Sequence, residues 1–177
     1  MKRIALDMDE VIADVIPKFS EIFKQQYGYY PKLEEYKGRK IYDINDAYHI
    51  RNKLYEPGFF ADLPVMEGSQ EVVKWLYEHY DLYIVTAASE FRNSLTDKWD
   101  WLQEHFPFIH WSKYVFCGNK SIINADYLID DHVKNLNRFD GKGILYTASH
   151  NINDTQYTRV DNWMEVRAFF EQELTKE

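Results

Sequence analysis

Residues 7–14 read Asp7-Met8-Asp9-Glu10-Val11-Ile12-Ala13-Asp14, directly behind the apolar run Ile4-Ala5-Leu6. A run of that kind fits a buried strand, so the chain leaves it at Asp7 and both Asp7 and Asp9 fall on the turn beyond. Two carboxylates one residue apart repel unless a proton or a cation lies between them. A hard cation such as Mg²⁺ takes oxygen ligands and prefers partners that also carry phosphate. The stretch therefore points to a magnesium-dependent phosphate enzyme. Taken alone, paired acids occur on many surface turns, and the parts that follow in order give this pair its weight. The apolar run Leu82-Tyr83-Ile84-Val85 ends in Thr86, the run Tyr114-Val115-Phe116-Cys117 is followed by an isolated Lys120, and Tyr127-Leu128-Ile129 ends in Asp130-Asp131. In open α/β sheets ligands bind outside the carboxyl ends of the strands, where these polar residues would converge.

With 177 residues, 45% of them hydrophobic, the chain has room for one core domain and a small insertion. Fourteen tyrosines help bring the aromatic share to 17%, so some rings are expected to line a pocket or an interface. A formal net charge of −8 argues against a nucleic-acid polymer as partner, because polymer binding needs a basic face, but leaves a small phosphorylated substrate open. A divalent cation would reverse the local field in such a site. The one cysteine, Cys117, excludes an internal disulfide, fits a reducing compartment, and lies in an apolar run as an inert thiol would. No stretch resembles a membrane span, and Asp7, Asp9 and Glu10 interrupt what could pass for a signal peptide after Met1-Lys2-Arg3. The chain reads as a soluble cytoplasmic protein with no membrane partner.

Strand and helix patterns alternate for most of the length, which favours a Rossmann-like three-layer α/β fold, its parallel central sheet covered on both faces. Val15, Ile16, Phe19, Ile22 and Phe23 recur at helical spacing, with Pro17 in the first turn and Gly28 at the end. From about residue 29 to residue 66 the pattern breaks up at Pro31, Gly38, Pro57, Gly58 and Pro64 and is dense in aromatics. A structureless loop of that length is improbable in a compact domain, so 29–66 is expected to be a small, mainly helical cap inserted after the first strand and helix. Residues 1–28 and 67–177 would form the core. A helix carrying Leu95, Trp99, Leu102 and Phe106, a fifth strand at Gly143-Ile144-Leu145-Tyr146 and a closing helix around Val166, Phe169 and Phe170 complete the expectation.

These motifs resemble those of the haloacid dehalogenase-like hydrolase superfamily, and within it the 5'(3')-deoxyribonucleotidases. The stretch at 7–14, Ile84-Val85-Thr86-Ala87-Ala88-Ser89, Lys120 and Tyr127-Leu128-Ile129-Asp130-Asp131 carry the superfamily likeness; residues 56–68, EPGFFADLPVMEG, carry the narrower one. The resemblance implies hydrolysis of (deoxy)ribonucleoside monophosphates through an aspartyl-phosphate, with Mg²⁺ as cofactor. It implies Asp7 as nucleophile and Asp9 as the acid and base. Asp7, Asp130 and the backbone carbonyl of Asp9 would hold the metal, and Thr86 and Lys120 the phosphate, with Asp131 behind them orienting a water or Lys120. Aromatic cap residues would hold the base, Phe60 and Tyr42 being the candidates, while Phe59 packs the cap against the core.

Each residue also has an ordinary role: Thr86 can end a strand, Lys120 can be solvated, and Asp130-Asp131 can cap the next helix. The sequence departs from the family's pattern twice. Glu10 stands where many relatives have glycine, its amide still within reach of phosphate, and Ala87 stands where the nucleotidases commonly have serine. The six histidines show no zinc-ligand spacing; His132, Arg92 and Arg138 are candidates for the edge of the site. A phosphatase of another small phosphometabolite such as a sugar phosphate, and a non-catalytic nucleotide-binding protein, are the rival readings. A homodimer is compatible with the sequence, which carries no dimer-specific signal.

Overall fold

Six strands form one wholly parallel sheet: β1 (Arg3–Leu6), β2 (Asp81–Thr86), β3 (Tyr114–Phe116), β4 (Tyr127–Asp130), β5 (Lys142–Tyr146) and β6 (Thr158–Val160), in the order β3-β2-β1-β4-β5-β6. The computed structural model describes residues 1–176. The order runs outward from β1 through β2 and β3 on one side, and through β4, β5 and β6 on the other. The reversal lies between β1 and β4, where open sheets of this kind hold their ligands. β6, absent from the sequence expectation, is a three-residue edge strand whose Thr158-Arg159-Val160 is too short for a period to show.

Side chains alternate between the two faces of the sheet. Ile4, Leu6, Leu82, Ile84, Tyr127, Ile129, Ile144 and Tyr146 enter the main core with α1 (Ile16–Tyr27), α4 (Ser69–His79), α5 (Ser94–His105) and α7 (Trp163–Leu174). Ala5, Val85, Leu128 and Leu145 point the other way, into a smaller cluster with Leu136 and Phe139. The covering layers are unequal: on that second face the helix is the single turn α6 (Val133–Leu136). The connection from β3 to β4 is a 3₁₀ turn, Lys120–Ile122, where a longer helix would have covered the sheet.

α1 starts with Pro17 in its first turn and stops at Gly28, whose φ of 82° is left-handed. Between α1 and α4 the chain makes only short helical pieces, α2 (Leu33–Tyr36), a 3₁₀ stretch at Ile41–Asp46, α3 (Tyr48–Arg51) and a 3₁₀ turn at Asn52–Tyr55. Tyr36, Ile41, Ile44, Ile50, Phe59 and Phe60 anchor this segment in the main core. Of the stripe expected on α5, Leu102 and Phe106 are buried in the core and Leu95 and Trp99 are not. Leu95 and Trp99 are 37% and 38% exposed, and the buried face is Ser94, Lys98, Trp101 and Leu102. A lysine takes the buried row because a carboxylate waits for it.

At the opposite end of the sheet from the strand ends that carry the motifs, Glu173 of α7 accepts the Tyr127 hydroxyl at 2.7 Å and Lys176 at 2.6 Å. These two hydrogen bonds, with Lys142 nearby, hold its carboxyl down from 4.5 to about 2. A depressed folded-state pKa contributes stability that is complete above the unfolded value and lost as pH falls through the folded one. Glu173→Gln should therefore lower unfolding free energy by about 1–2 kcal/mol at neutral pH. The deficit should shrink as pH falls from 4.5 to about 2, which urea titrations at stepped pH would resolve. Equal stability of the two proteins at pH 7 would contradict this.

Candidate active site

The turn after β1 is tightly built. The Met8 carbonyl accepts the amides of Val11, Ile12 and Ala13 at 3.3, 2.9 and 2.9 Å. Trp163 donates its indole N–H to the Val11 carbonyl at 3.0 Å. The returning chain pairs with the turn through Asp14 N–H to Pro64 O and Met66 N–H to Ile12 O, both 2.8 Å. Asp7 and Asp130 sit at the carboxyl ends of the adjacent strands β1 and β4, one on each side of the topological switch. Lys120 Nζ lies between them, 2.6 Å from Asp7 Oδ1 and 2.6 Å from Asp130 Oδ2. Burial by itself would lower the lysine's pKa, but these two carboxylates raise it above the ordinary value, so the ammonium stays charged. Asp7 Oδ1 also accepts the Met8 amide at 2.7 Å. Asp130 is held further by the His132 amide at 2.8 Å and by Asn135 Nδ2, 3.0 Å from each oxygen.

Asp9 has its own cation. Lys98, completely buried on α5, reaches Asp9 Oδ2 at 2.5 Å and Thr86 Oγ1 at 2.8 Å, and its ammonium lies 4.6 Å from the centre of the Phe60 ring. Burial raises the Asp9 carboxyl above the usual carboxylate range; Lys98 opposes the shift and Asp7 adds to it. The other oxygen, Asp9 Oδ1, is buried with no protein hydrogen-bond partner. A third lysine, Lys40, comes from the 29–66 segment and pairs with Glu10, with Asp131 Oδ2 3.6 Å away. Burial alone would raise Glu10, yet Lys40, helped by His150, takes it down to about 2. Asp131 moves the opposite way, raised well above its ordinary value by burial. His150 Nε2 stands 3.3 Å from Asp131 Oδ2, and its ring packs 4.6 Å from that of His132. Burial and the nearby Lys40 push the His132 imidazole down to about 2, so it is neutral.

These groups open onto a cavity of about 340 Å³. Asp7, Asp9, Glu10, Lys120 and Asp131 line one part of it; Phe19, Tyr42, Leu54, Phe60 and Phe91 line another. Asp7, Asp130 and Asp131, all buried, each offer a carboxylate oxygen within 4.8 Å of the others.

The family described as "5' nucleotidase, deoxy (Pyrimidine), cytosolic type C protein" matches residues 1–173. A 5'(3')-deoxyribonucleotidase of Bacillus subtilis is 42% identical over 168 residues, 93% of this chain and 96% of that one. The chain belongs to the 5'(3')-deoxyribonucleotidase family. A Staphylococcus epidermidis protein given the same family name is 46% identical over 171 residues, covering 96% of both chains. Among solved structures, a haloacid dehalogenase-like hydrolase of Bacillus subtilis, described as bound to magnesium, superposes with a TM-score of 0.58 over 96% of this chain and 98% of its own at 14% identity, a likeness of fold. As a deoxyribonucleotidase-family protein the chain is a phosphoric monoester hydrolase. Among the described residues no helix is long and apolar enough to cross a membrane.

In this deoxyribonucleotidase-family chain Asp7, Asp9, Lys120, Asp130 and Asp131 converge, and Tyr42 and Phe60 line the cavity. Phe59 does not line it; its ring packs 5.2 Å from Phe19 and 5.0 Å from Phe60. Three expectations change. Thr86 is completely buried behind Asp9 and Lys98, and Ala87 lines the cavity in its place, because the Thr86 oxygen accepts from Lys98. Asp131 faces Lys40 and His150, while Lys120 is held by Asp7 and Asp130. The Glu10 amide, expected to reach phosphate, donates to the Ala13 carbonyl at 2.8 Å. Glu10 has φ 57°, a left-handed conformation that costs a residue with a Cβ about 1–2 kcal/mol and suits the glycine of many relatives. Its side chain is held there by the pair with Lys40. Of the candidates for the edge, His132 and Arg138 line the cavity and Arg92 does not.

The sequence reading missed Lys98, Lys40, His150 and Asn135. Lys98 alone left a trace, as a lysine four residues after Ser94 and four before Leu102, in the row a core-facing helix normally fills with apolar side chains. Removing one partner from a buried pair leaves an uncompensated charge. Lys40→Met is accordingly expected to lower unfolding free energy by about 3 kcal/mol. Glu10→Gln in the same chain should recover most of that loss. Urea denaturation of the two single variants and the double variant measures the coupling, and strictly additive losses would show that the ion pair does not exist in solution.

Proposed function

We propose that this chain is a Mg²⁺-dependent phosphatase that converts (deoxy)ribonucleoside monophosphates to nucleoside and phosphate. The observation that carries the reading is the buried Asp7–Lys120–Asp130 group opening onto a cavity whose other part is aromatic. Family membership supplies the reaction class, and the cavity supplies room for a base beside the phosphate site.

The donors suit magnesium: Asp7, Asp130 and Asp131 present closely spaced hard oxygens, buried and short of cations to balance them. Asp7, Asp130 and the backbone carbonyl of Asp9 would hold the ion, which when bound supplies positive charge for the transferring phosphoryl group. Asp7 is the nucleophile. Its contacts with Lys120 and the Met8 amide fall on Oδ1, which leaves Oδ2 for attack on phosphorus. As the Asp7–phosphorus bond forms, the ester P–O bond breaks and the leaving alkoxide takes its proton from Asp9. Asp9 then accepts a proton from a water that attacks phosphorus, releasing phosphate and restoring the Asp7 carboxylate. Lys98, itself anchored on the Thr86 hydroxyl, holds Asp9 in position, and Lys120 offsets charge on the phosphoryl oxygens.

Residues 29–66 act in this reading as a cap on a core of 1–28 and 67–177, closing the aromatic part of the cavity with Tyr42 and Phe60. Stacking a base on such rings contributes about 1–3 kcal/mol.

Phosphate release from nucleoside monophosphates and sugar phosphates, with Mg²⁺ and with EDTA, tests the reading. Turnover that EDTA abolishes and that is strongest on deoxynucleotides is the expected result. Equal rates on sugar phosphates would remove the nucleotide assignment and keep the chemistry. Asp7→Asn should reduce turnover by at least 10⁴-fold with an unchanged circular dichroism spectrum, because an amide cannot form the acyl phosphate; a variant retaining most of its activity would exclude the covalent route.

A further inference from the structure

The cavity has an apolar part whose polar needs the catalytic groups do not meet. A nucleobase in a slot formed by Phe19, Tyr42, Leu54, Phe60 and Phe91 buries its faces well, but its edge carries carbonyl and N–H groups that lose water on entry. A buried polar group left without a partner costs more than its hydrogen bond returns elsewhere. The cations around the cavity are mostly committed: Lys120 to Asp7 and Asp130, and Lys40 to Glu10 and Asp131. Lys134 and Arg138, from α6 and the residues after it, also line the cavity, and among the described residues no ring–cation contact ties them to its aromatic residues. Arg51 and Glu90 are different. They line the same cavity, and Arg51 lies with its guanidinium 5.6 Å from the centre of the Phe91 ring.

Arg51 is the last residue of α3, and Glu90 stands on the 3₁₀ turn after β2, so they approach from opposite walls. Arg51 Nη2 donates to Glu90 Oε1 at 2.6 Å. Tyr55 also bonds the guanidinium, so two of its five donors are in use and one of the carboxylate's acceptor sites. The rest form a rigid donor array beside an acceptor. That pattern is complementary to the edge of a base in which a carbonyl or bare ring nitrogen adjoins an N–H. The side chains are 35% and 48% exposed, so the pair is open to a ligand and, as an ordinary surface ion pair, would contribute little to stability.

We propose that Arg51 and Glu90 are specificity-determining residues that read the hydrogen-bonding edge of the substrate's base, Arg51 donating to its acceptor and Glu90 receiving its N–H. The assignment rests on the nucleotide reading above and adds to it the groups that distinguish a nucleotide from a bare sugar phosphate. The stacking rings hold any flat base; this pair responds to what the edge presents.

The test compares kcat/KM for thymidine 5'-monophosphate, its N3-methyl analogue and 2-deoxyribose 5-phosphate in the wild-type protein, Arg51→Ala and Glu90→Gln. The wild-type protein should lose at least tenfold on N3-methylation, which removes the N–H and keeps the ring. Arg51→Ala should reduce the preference for the nucleotide over deoxyribose 5-phosphate by at least tenfold, mainly through KM. Glu90→Gln should narrow the gap between the nucleotide and its N3-methyl analogue. If Arg51→Ala lowers turnover of deoxyribose 5-phosphate as much as that of the nucleotide, the pair only clamps the two walls together and the proposal falls. A wild-type protein that shows no preference for the nucleotide over deoxyribose 5-phosphate overturns the nucleotide reading and this proposal with it. Preference for the nucleotide without sensitivity to N3-methylation overturns the proposal alone.

Discussion

Five carboxylates, Asp7, Asp9, Glu10, Asp130 and Asp131, crowd the carboxyl ends of two adjacent strands, and little else in this molecule can be understood without the charge they create. Three lysines delivered from separate parts of the chain meet them: Lys120 from the 3₁₀ turn after β3 pairs with Asp7 and Asp130, Lys98 from α5 with Asp9, and Lys40 from the 29–66 segment with Glu10 and, at 3.6 Å, Asp131. Each lysine is partly or wholly buried, so each contact is made where screening is weak and a missing partner would be costly. Five carboxylates against three ammonium groups leave an excess of negative charge, and burial pushes the carboxyls of Asp131, Asp130 and Asp9 up. The folding of α5, of the β3–β4 connection and of the segment after α1 is coupled through these pairs to the turn at 7–14.

The fold was legible because a parallel sheet writes itself as short apolar runs, and here four of them end in residues whose chemistry belongs together. The pieces that stayed hidden share a physical cause. β6 has three residues, too few for alternation to show. On α5 the second half of the expected stripe, Leu102 and Phe106, is buried, but in the first half Leu95 and Trp99 give way to Ser94 and Lys98, a lysine whose burial depends on Asp9, 89 positions away. Lys40 and His150 are ordinary in their local context and acquire meaning only when the chain returns on itself. Thr86 was found by its place at a strand end, but which way its hydroxyl faces is decided by the lysine that packs on it.

The departure at position 10 illustrates how a local rule yields to a distant partner. A left-handed residue that suits glycine is instead a glutamate, and its carboxylate is held by Lys40 of the segment after α1. Pairing the turn to that segment gives the entrance of the cavity a fixed relation to its floor. The Arg51–Glu90 contact does the same between the segment and the turn after β2. Both ties are ionic, and both end on the cavity lining.

The placement of β1 at the middle of the sheet has a kinetic consequence. Its partners are β2 and β4, so the strand that carries Asp7 completes its pairing only with residues 127–129, more than two thirds of the way along the chain. Closing loops of that length is slow relative to forming local helices. Asp7 and Asp130 are therefore brought together late, and a chain interrupted before β4 is completed holds a central strand paired with β2 on one side and open on the other. Such a chain presents an open edge to other chains until the fourth strand arrives.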